Sequence, residues 1–117
     1  LVPVLAIDAL LDPSEITLDL LRVIQQLEPC GPGNPSPLFG MRGVRVASAE
    51  TFGTTGDHLR LMLRAPDRTL RATGWRMGLL AEQFPPGAAV DIAFALKEDS
   101  YVGLALDIQD VAAAGER

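Results

Sequence analysis

The segment formed by residues 27–39, LEPCGPGNPSPLF, is the feature that most restricts how this chain can fold. Its four prolines fix φ and lack an amide donor, so neither a helix nor a strand can run through it. Gly31, Gly33 and Asn34 tolerate positive φ, and we therefore predict a stiff, shaped loop. The loop is either a turn that ends a helix and directs the chain into a sheet, or a surface whose amide groups contact a ligand such as a phosphate.

An amphipathic helix is predicted before this loop. The run from Asp12 to Glu15 has an N-cap residue, proline at the first position and glutamate at the third, which is typical of a helix start. Thr17 is a second candidate for the cap. Apolar residues recur at intervals of three to four, at Ile16, Leu20, Val23 or Ile24, and Leu27. Residues 2–11 are predicted to form a short strand or an extended lead-in.

After the loop the apolar period changes to two, which predicts a mainly β fold. The predicted strands lie at about 41–50, 59–63, 69–76, 90–96 and 104–108, with a short helix at 77–84. Five strands with one helix between the third and fourth are the order of an OB-fold barrel. A five-stranded sandwich or an SH3-like barrel is the alternative, and the helix counts against it. The expected domains are a lead-in, helix and connecting loop at 1–37, the barrel at 38–112 and a tail at 113–117.

The composition fits one globular, soluble domain, with 117 residues of which 48% are hydrophobic and 21% charged. No apolar run approaches the roughly 20 residues that a membrane span needs, and no signal peptide is recognisable. Cys30 is the only cysteine, so we expect neither a disulfide nor a thiolate metal cluster, and a cytoplasmic setting. Because the chain starts at Leu1 rather than at a methionine, we expect it to be part of a longer polypeptide.

The charge is unevenly distributed along the chain, although the net value is −5. Residues 41–76 contain seven arginines, no lysine and three acidic residues, whereas the segments on both sides are acidic. Arginine binds phosphate in a bidentate manner and stacks on bases, so this bias is compatible with a nucleic-acid surface. A solvated strand face would produce the same pattern.

Catalytic residue types are scarce in this sequence. His58 is the only histidine and is expected at a solvated strand edge. The acidic residues of the last two strands show no spacing that converges on a metal ion. Trp75 is expected in the core, because large aromatic side chains dominate small cores, with an exposed base-stacking position as the alternative. Tyr101, in the predicted turn between the last two strands, is expected to be exposed.

Three segments resemble the OB-fold domain of RecJ-type single-strand-specific DNA exonucleases. The first is the proline–glycine segment, with Glu28-Pro29, Gly31-Pro32-Gly33-Asn34-Pro35 and Pro37-Leu38-Phe39. Cys30 stands where that family usually has an aromatic residue. The second is Ala72-Thr73-Gly74-Trp75-Arg76-Met77-Gly78, and the third is the strand Val90–Leu96. The resemblance covers most of the chain, and only the proline–glycine segment is a specific motif.

The resemblance implies a module of an enzyme that degrades single-stranded DNA from the 5′ end in repair and recombination. The family's metal-binding aspartate and histidine motifs lie in other domains, so the parent enzyme would use Mn2+ or Mg2+ while this chain would hold no cofactor and would not cut DNA alone.

The expected partners are single-stranded DNA and the catalytic domains of the same polypeptide, without a membrane. The strand pattern, rather than the resemblance, selects the residues expected to hold DNA, which are Arg42, Arg45, Arg60, Arg64, Arg71 and Tyr101. Gly31, Gly33 and Asn34 are expected along the DNA path or at the joint with the catalytic domains. The alternative is an interdomain or protein-interaction scaffold without direct DNA contact.

Overall fold

A computed structural model of the chain describes residues 7–26 and 36–115. Its strands are β1 (Ala9–Leu10), β2 (Phe39–Phe52), β3 (His58–Arg64), β4 (Thr69–Gly74), β5 (Ala89–Asp99) and β6 (Gly103–Ala113). The helices are α1 (Leu18–Gln25) and two 3-10 helices at Pro13–Glu15 and Gly78–Gln83. None of these helices has the length and apolarity that a membrane crossing requires.

Strands β2 to β6 form a closed barrel. The second half of β2 pairs with β3, β3 pairs with β4 and β5 pairs with β6, all antiparallel, whereas β4 and β6 are parallel. The first half of β2 pairs with β5 and closes the barrel. The prediction of a five-stranded OB fold with a short helix between the third and fourth strands is confirmed. The two-residue strand β1 adds to this barrel by pairing in parallel with the start of β2.

Strand β2 reaches two neighbours because it bends. Its register shifts between Met41 and Val44, and Gly43 in between has a φ of +64°, which glycine adopts without a Cβ clash. A second shift lies between Val46 and Ser48. The strand is longer than the predicted 41–50 segment. Because of the two shifts, its first half pairs with β5 and its second half with β3.

The alternating apolar residues fill the barrel as predicted. Leu59, Leu61 and Leu63 of β3 are all fully buried, as is Phe94 of β5. The inward face of β4, which the sequence left ambiguous, consists of Leu70, Ala72 and Gly74. The alternating polar residues of both strands consequently point away from the core.

The lead-in helix begins later than its first candidate cap. Thr17 Oγ1 accepts a hydrogen bond from the Leu20 amide at 3.1 Å and caps α1, whereas Asp12 begins only the 3-10 turn at Pro13–Glu15. Ile16, between the two helical segments, is completely buried. The Arg68 guanidinium donates to the Ile16 carbonyl and ties the lead-in to the β3–β4 turn.

Other boundaries also differ from expectation. The segment predicted as a helix at 77–84 is a 3-10 helix, and β6 continues through Ala113, which pairs with Val90. Cys30, Gly31, Gly33 and Asn34 lie outside the described residues.

Candidate nucleic-acid interface

The outward side chains of β3 and β4 form one surface on the barrel. Arg60 is paired with Thr73, Met62 with Arg71, and Arg64 with Thr69. We call this surface the β3–β4 face and define it by its outward residues, His58, Arg60, Met62, Arg64, Thr69, Arg71 and Thr73. The face therefore brings together three of the five arginines that the sequence singled out.

An aromatic cluster of Phe52, His58 and Trp75 borders the β3–β4 face. The centroid of the Phe52 ring lies 5.3 Å from that of His58 and 5.6 Å from that of Trp75. The Arg60 guanidinium carbon lies 4.6 Å from the Phe52 centroid, in cation–π geometry. One end of the face thus combines rings in tilted and edge-to-face contact with a cation.

Trp75 is 56% exposed, so the expectation that it lies in the core is wrong. β4 ends at Gly74, which is its last inward residue, and the core space there is taken by Met77. A Cβ at Gly74 would lie only 2.8 Å from Met77 Sδ, which shows how closely that side chain covers the strand end. The tryptophan follows the strand end and stays on the surface.

The backbone around His58 fixes the position of Trp75. Arg76, with a φ of +61°, donates its amide to His58 Nδ1 at 3.0 Å. On the opposite side, a Cβ at Gly53 would come within 2.9 Å of the His58 ring. His58 is therefore half-buried between two turns, rather than the solvated edge residue that the sequence suggested.

A groove lies on the β4–β6 side of the aromatic cluster, with a volume of about 350 Å³. We call it the Trp75 groove; it is lined by Thr73, Trp75, Lys97, Glu98, Asp99, Ala105, Leu106 and Asp107. Tyr101, in the turn that joins β5 to β6, is 89% exposed, as the sequence predicted. The turn is held by Asp99, whose Oδ1 accepts hydrogen bonds from the Tyr101 and Val102 amides at 2.8 and 3.0 Å.

The charges of the β3–β4 face and of the Trp75 groove act on each other. Hydrogen bonds from the Val102 and Tyr101 amides lower the pKa of Asp99, with smaller contributions from Arg71 and Arg60 against an opposing desolvation effect. Within residues 7–26 and 36–115, Arg60, Arg64 and Arg71 form no direct ion pair with a carboxylate. The three arginines therefore have no carboxylate partner among the described residues, and the Nε atoms of Arg60 and Arg71 are buried without a hydrogen bond.

The other predicted residues are not on this face. Arg42 lies at the bulge of β2, and Arg45 lies in the half of β2 that pairs with β5. Arg45 Nη1 donates to the Gly87 carbonyl at 3.0 Å. The arginines proposed from the sequence thus fall into two groups, and the loop residues Gly31, Gly33 and Asn34 lie outside the described ranges.

The acidic residues of β5 and β6 do not converge. Among the described residues, no three His, Cys, Asp or Glu side chains are placed to hold a metal ion. Asp91 instead accepts backbone amide hydrogen bonds from Gly43 at 2.9 Å and Gly115 at 3.1 Å.

Sequence reasoning missed the aromatic cluster as a unit. Phe52 and His58 flank a turn of five residues, and the β2–β3 register places them directly opposite each other. Treating residues 52–58 as a hairpin would have paired the two rings from the sequence alone. Trp75 joins them because β4 ends beside the start of β3, where Gly74 is paired with Leu59.

Comparison with known proteins assigns the chain to a family. A family model described as the RecJ OB domain matches residues 7–108. The single-stranded-DNA-specific exonuclease RecJ of Thermus thermophilus is 37% identical over 93 residues, which are 79% of this chain and 12% of the relative. The enzyme of the same name from Bacillus subtilis is 24% identical over 91 residues, with coverages of 78% and 12%. The chain thus spans 12% of the length of each of these relatives.

A solved structure supports the fold alone. The asparaginyl-tRNA synthetase of Pyrococcus horikoshii superposes with a TM-score of 0.56 at 13% identity, covering 76% of this chain and 21% of the synthetase.

Proposed function

The chain belongs to the RecJ OB domain family, and we propose that it is the single-stranded-DNA-binding module of a RecJ-like 5′-to-3′ exonuclease acting in repair and recombination. The observation that carries the proposal is the combination of Arg60, Arg64 and Arg71 with the aromatic cluster on adjoining parts of one barrel surface. Arginines that contact phosphates beside rings that stack on bases are typical of sequence-tolerant single-strand binding.

The binding mode follows from the two parts of the surface. The arginines attract the phosphate backbone and release counterions, so affinity falls with rising salt. Trp75 offers an exposed indole on which a base can stack, and Tyr101 offers a second exposed ring in the turn held by Asp99, which lines the Trp75 groove. A duplex hides its base faces, so we expect it to bind more weakly than a single strand.

The same proposal assigns catalysis to the rest of the parent polypeptide. Its catalytic domains would hold Mn2+ or Mg2+ and would be the permanent partners of this module, in the cytoplasm. We expect the purified chain to leave a labelled single strand intact in the presence of Mn2+ or Mg2+. Degradation that a chelator abolishes would contradict this assignment.

The experiment that tests the binding proposal is titration of a fluorescent dT oligonucleotide with the chain at low and high salt. Binding at low salt that weakens steeply as salt rises is the expected result, with weaker binding to a duplex of the same length. Absence of binding at low salt would favour the scaffold alternative. That alternative draws support from exposed apolar side chains outside the β3–β4 face, such as Val23 on α1 and Leu79 on the second 3-10 helix.

The proline–glycine loop belongs to this proposal on sequence grounds. If it follows the DNA path or the joint with the catalytic domains, Asn34→Ala leaves the melting temperature of the chain unchanged and lowers the affinity or processivity of the full-length enzyme. If activity falls only when stability falls, as in a comparison with Gly33→Ala, the loop is a turn and nothing more.

A further inference from the structure

The Trp75 groove has a chemistry that phosphate binding does not explain. Its lining includes three acidic residues, Glu98, Asp99 and Asp107, and a carboxylate repels a phosphate. We propose that the groove is a subsite for a single guanine base, with Trp75 as the stacking surface and Asp107 as the residue that reads the base edge. This proposal rests on the proposed function and adds a base preference to it.

The register of the sheet brings Trp75 and Asp107 to the same groove. Asp107 of β6 is directly opposite Thr73 of β4, and Trp75 follows Thr73 by two residues. Trp75 lies one residue beyond the end of β4, and Trp75 and Asp107 both line the Trp75 groove. A base stacked on the indole can therefore direct an edge towards the Asp107 carboxylate.

The Asp107 carboxylate has unused hydrogen-bond acceptors. The residue is half-buried, and no described residue donates a hydrogen bond to its carboxylate. Asp99 differs, because the Tyr101 and Val102 amides occupy its Oδ1 and give it a role in shaping the turn. Glu98 accepts a hydrogen bond from Gln25 Nε2 at 3.2 Å, so Asp107 is the carboxylate of the groove to which no described residue donates, and it is open to a donor from a ligand.

Guanine is the base whose donors match a carboxylate. Its N1–H and its exocyclic N2 amino group lie side by side on one edge, so each can donate to one carboxylate oxygen, as the two parallel N–H groups of an arginine do. Cytosine and adenine place their amino group beside a ring-nitrogen acceptor, and thymine flanks its single N–H with two carbonyl oxygens. Lys97, which also lines the groove, adds a cation that offsets the repulsion between the carboxylates and the DNA backbone.

The test compares two strands that differ by one amino group. A 12-mer of dT with a single central deoxyguanosine is titrated against the same strand with deoxyinosine, which retains N1–H and lacks the N2 amino group. For the unmodified chain we expect about five- to tenfold tighter binding of the guanine strand. Asp107→Asn should bind both strands equally, whereas Glu82→Gln, which removes one negative charge outside the groove, should keep the preference.

The outcomes distinguish failure of the guanine subsite from failure of the proposed binding function. If the chain binds both strands equally and with the expected salt dependence, the guanine subsite is wrong and the binding function stands. If the preference persists in Asp107→Asn, or in Asp107→Ala as a second variant with a normal melting temperature, the assignment to Asp107 is wrong. If neither strand binds at low salt, the proposed function and the subsite both fail.

Discussion

The indole of Trp75 meets the imidazole of His58 edge to face, with ring centroids 4.9 Å apart and planes at 73°. The Arg76 amide donates to His58 Nδ1, so the imidazole is itself held by the turn that carries the tryptophan. This contact orients the Trp75 ring while leaving 56% of the residue exposed. An aromatic side chain that is fixed before the ligand arrives loses little conformational entropy on binding.

The first prediction concerns Trp75. We expect Trp75→Ala to weaken binding of a dT oligonucleotide about five- to hundredfold, because stacking on one base contributes roughly 1–3 kcal/mol. The melting temperature should change little, since more than half of the side chain is already in contact with solvent. Fluorescence anisotropy and thermal melting measure the two effects, with Leu79→Ala, at a 94% exposed residue, as the control. A large loss of stability with unchanged affinity would show that Trp75 is a packing residue after all.

The second prediction concerns Gly78, where the 3-10 helix begins. Its amide donates to the Asp57 carbonyl at 2.9 Å, and a Cβ would overlap the Gly56 carbonyl oxygen and approach the Asp57 carbonyl carbon to 2.9 Å. Because both neighbours are backbone, we expect Gly78→Ala to lower the free energy of unfolding by about 2–3 kcal/mol in urea denaturation. Gly87→Ala is the control: its Cβ would enter open space, and only the φ of +90° should cost about 1 kcal/mol. Equal stability of the two variants would contradict the close packing of the two turns.

The barrel was predictable because period-two patterns depend only on the side of the strand that each residue faces. Leu59, Leu61 and Leu63 alternate with polar residues, and burial of every second residue follows directly. Thr17 and Asp12 were both valid caps by residue type, and the choice between them depended on Ile16, which must enter the core. Tertiary burial decided a boundary that local preference left open.

The grouping of the site residues was not predictable from the same patterns. Arg45 and Arg60 are both outward-facing strand residues, yet the bends in β2 separate the half that carries Arg45 from the half that pairs with β3. Trp75 was assigned to the core because large aromatic side chains dominate small cores, but β4 ends at Gly74 and Met77 fills the space instead. Both results depend on long-range register, which composition and spacing do not encode.

The third prediction concerns acid stability. Hydrogen bonds from Val102 and Tyr101 lower the pKa of Asp99 below 3.8, its ordinary value. A carboxyl group whose pKa is lower in the native state than in the unfolded state stabilises the native state at pH values above its unfolded-state pKa. This stabilisation is lost as the pH falls through the native-state pKa. We therefore expect the melting temperature of Asp99→Asn to fall less than that of the unmodified chain when the pH is lowered from about 5 to about 2. A parallel acid response of the two proteins, with Glu82→Gln as the charge control, would argue against this role for Asp99.

The central claim concerns the arginines of the β3–β4 face, and the salt dependence of single-strand binding tests it most directly. Arg60→Gln with Arg64→Gln removes two charges, including the guanidinium that lies over Phe52, and keeps part of each aliphatic stem. Arg42→Gln with Arg45→Gln is the matched control in the other half of β2. We expect the slope of log K against log salt to become shallower by about 1.4 in the first variant, since each phosphate contact to a single strand contributes about 0.7. The control should keep the slope of the unmodified chain. An unchanged affinity and slope in a folded Arg60→Gln, Arg64→Gln variant would contradict the claim and leave the scaffold alternative.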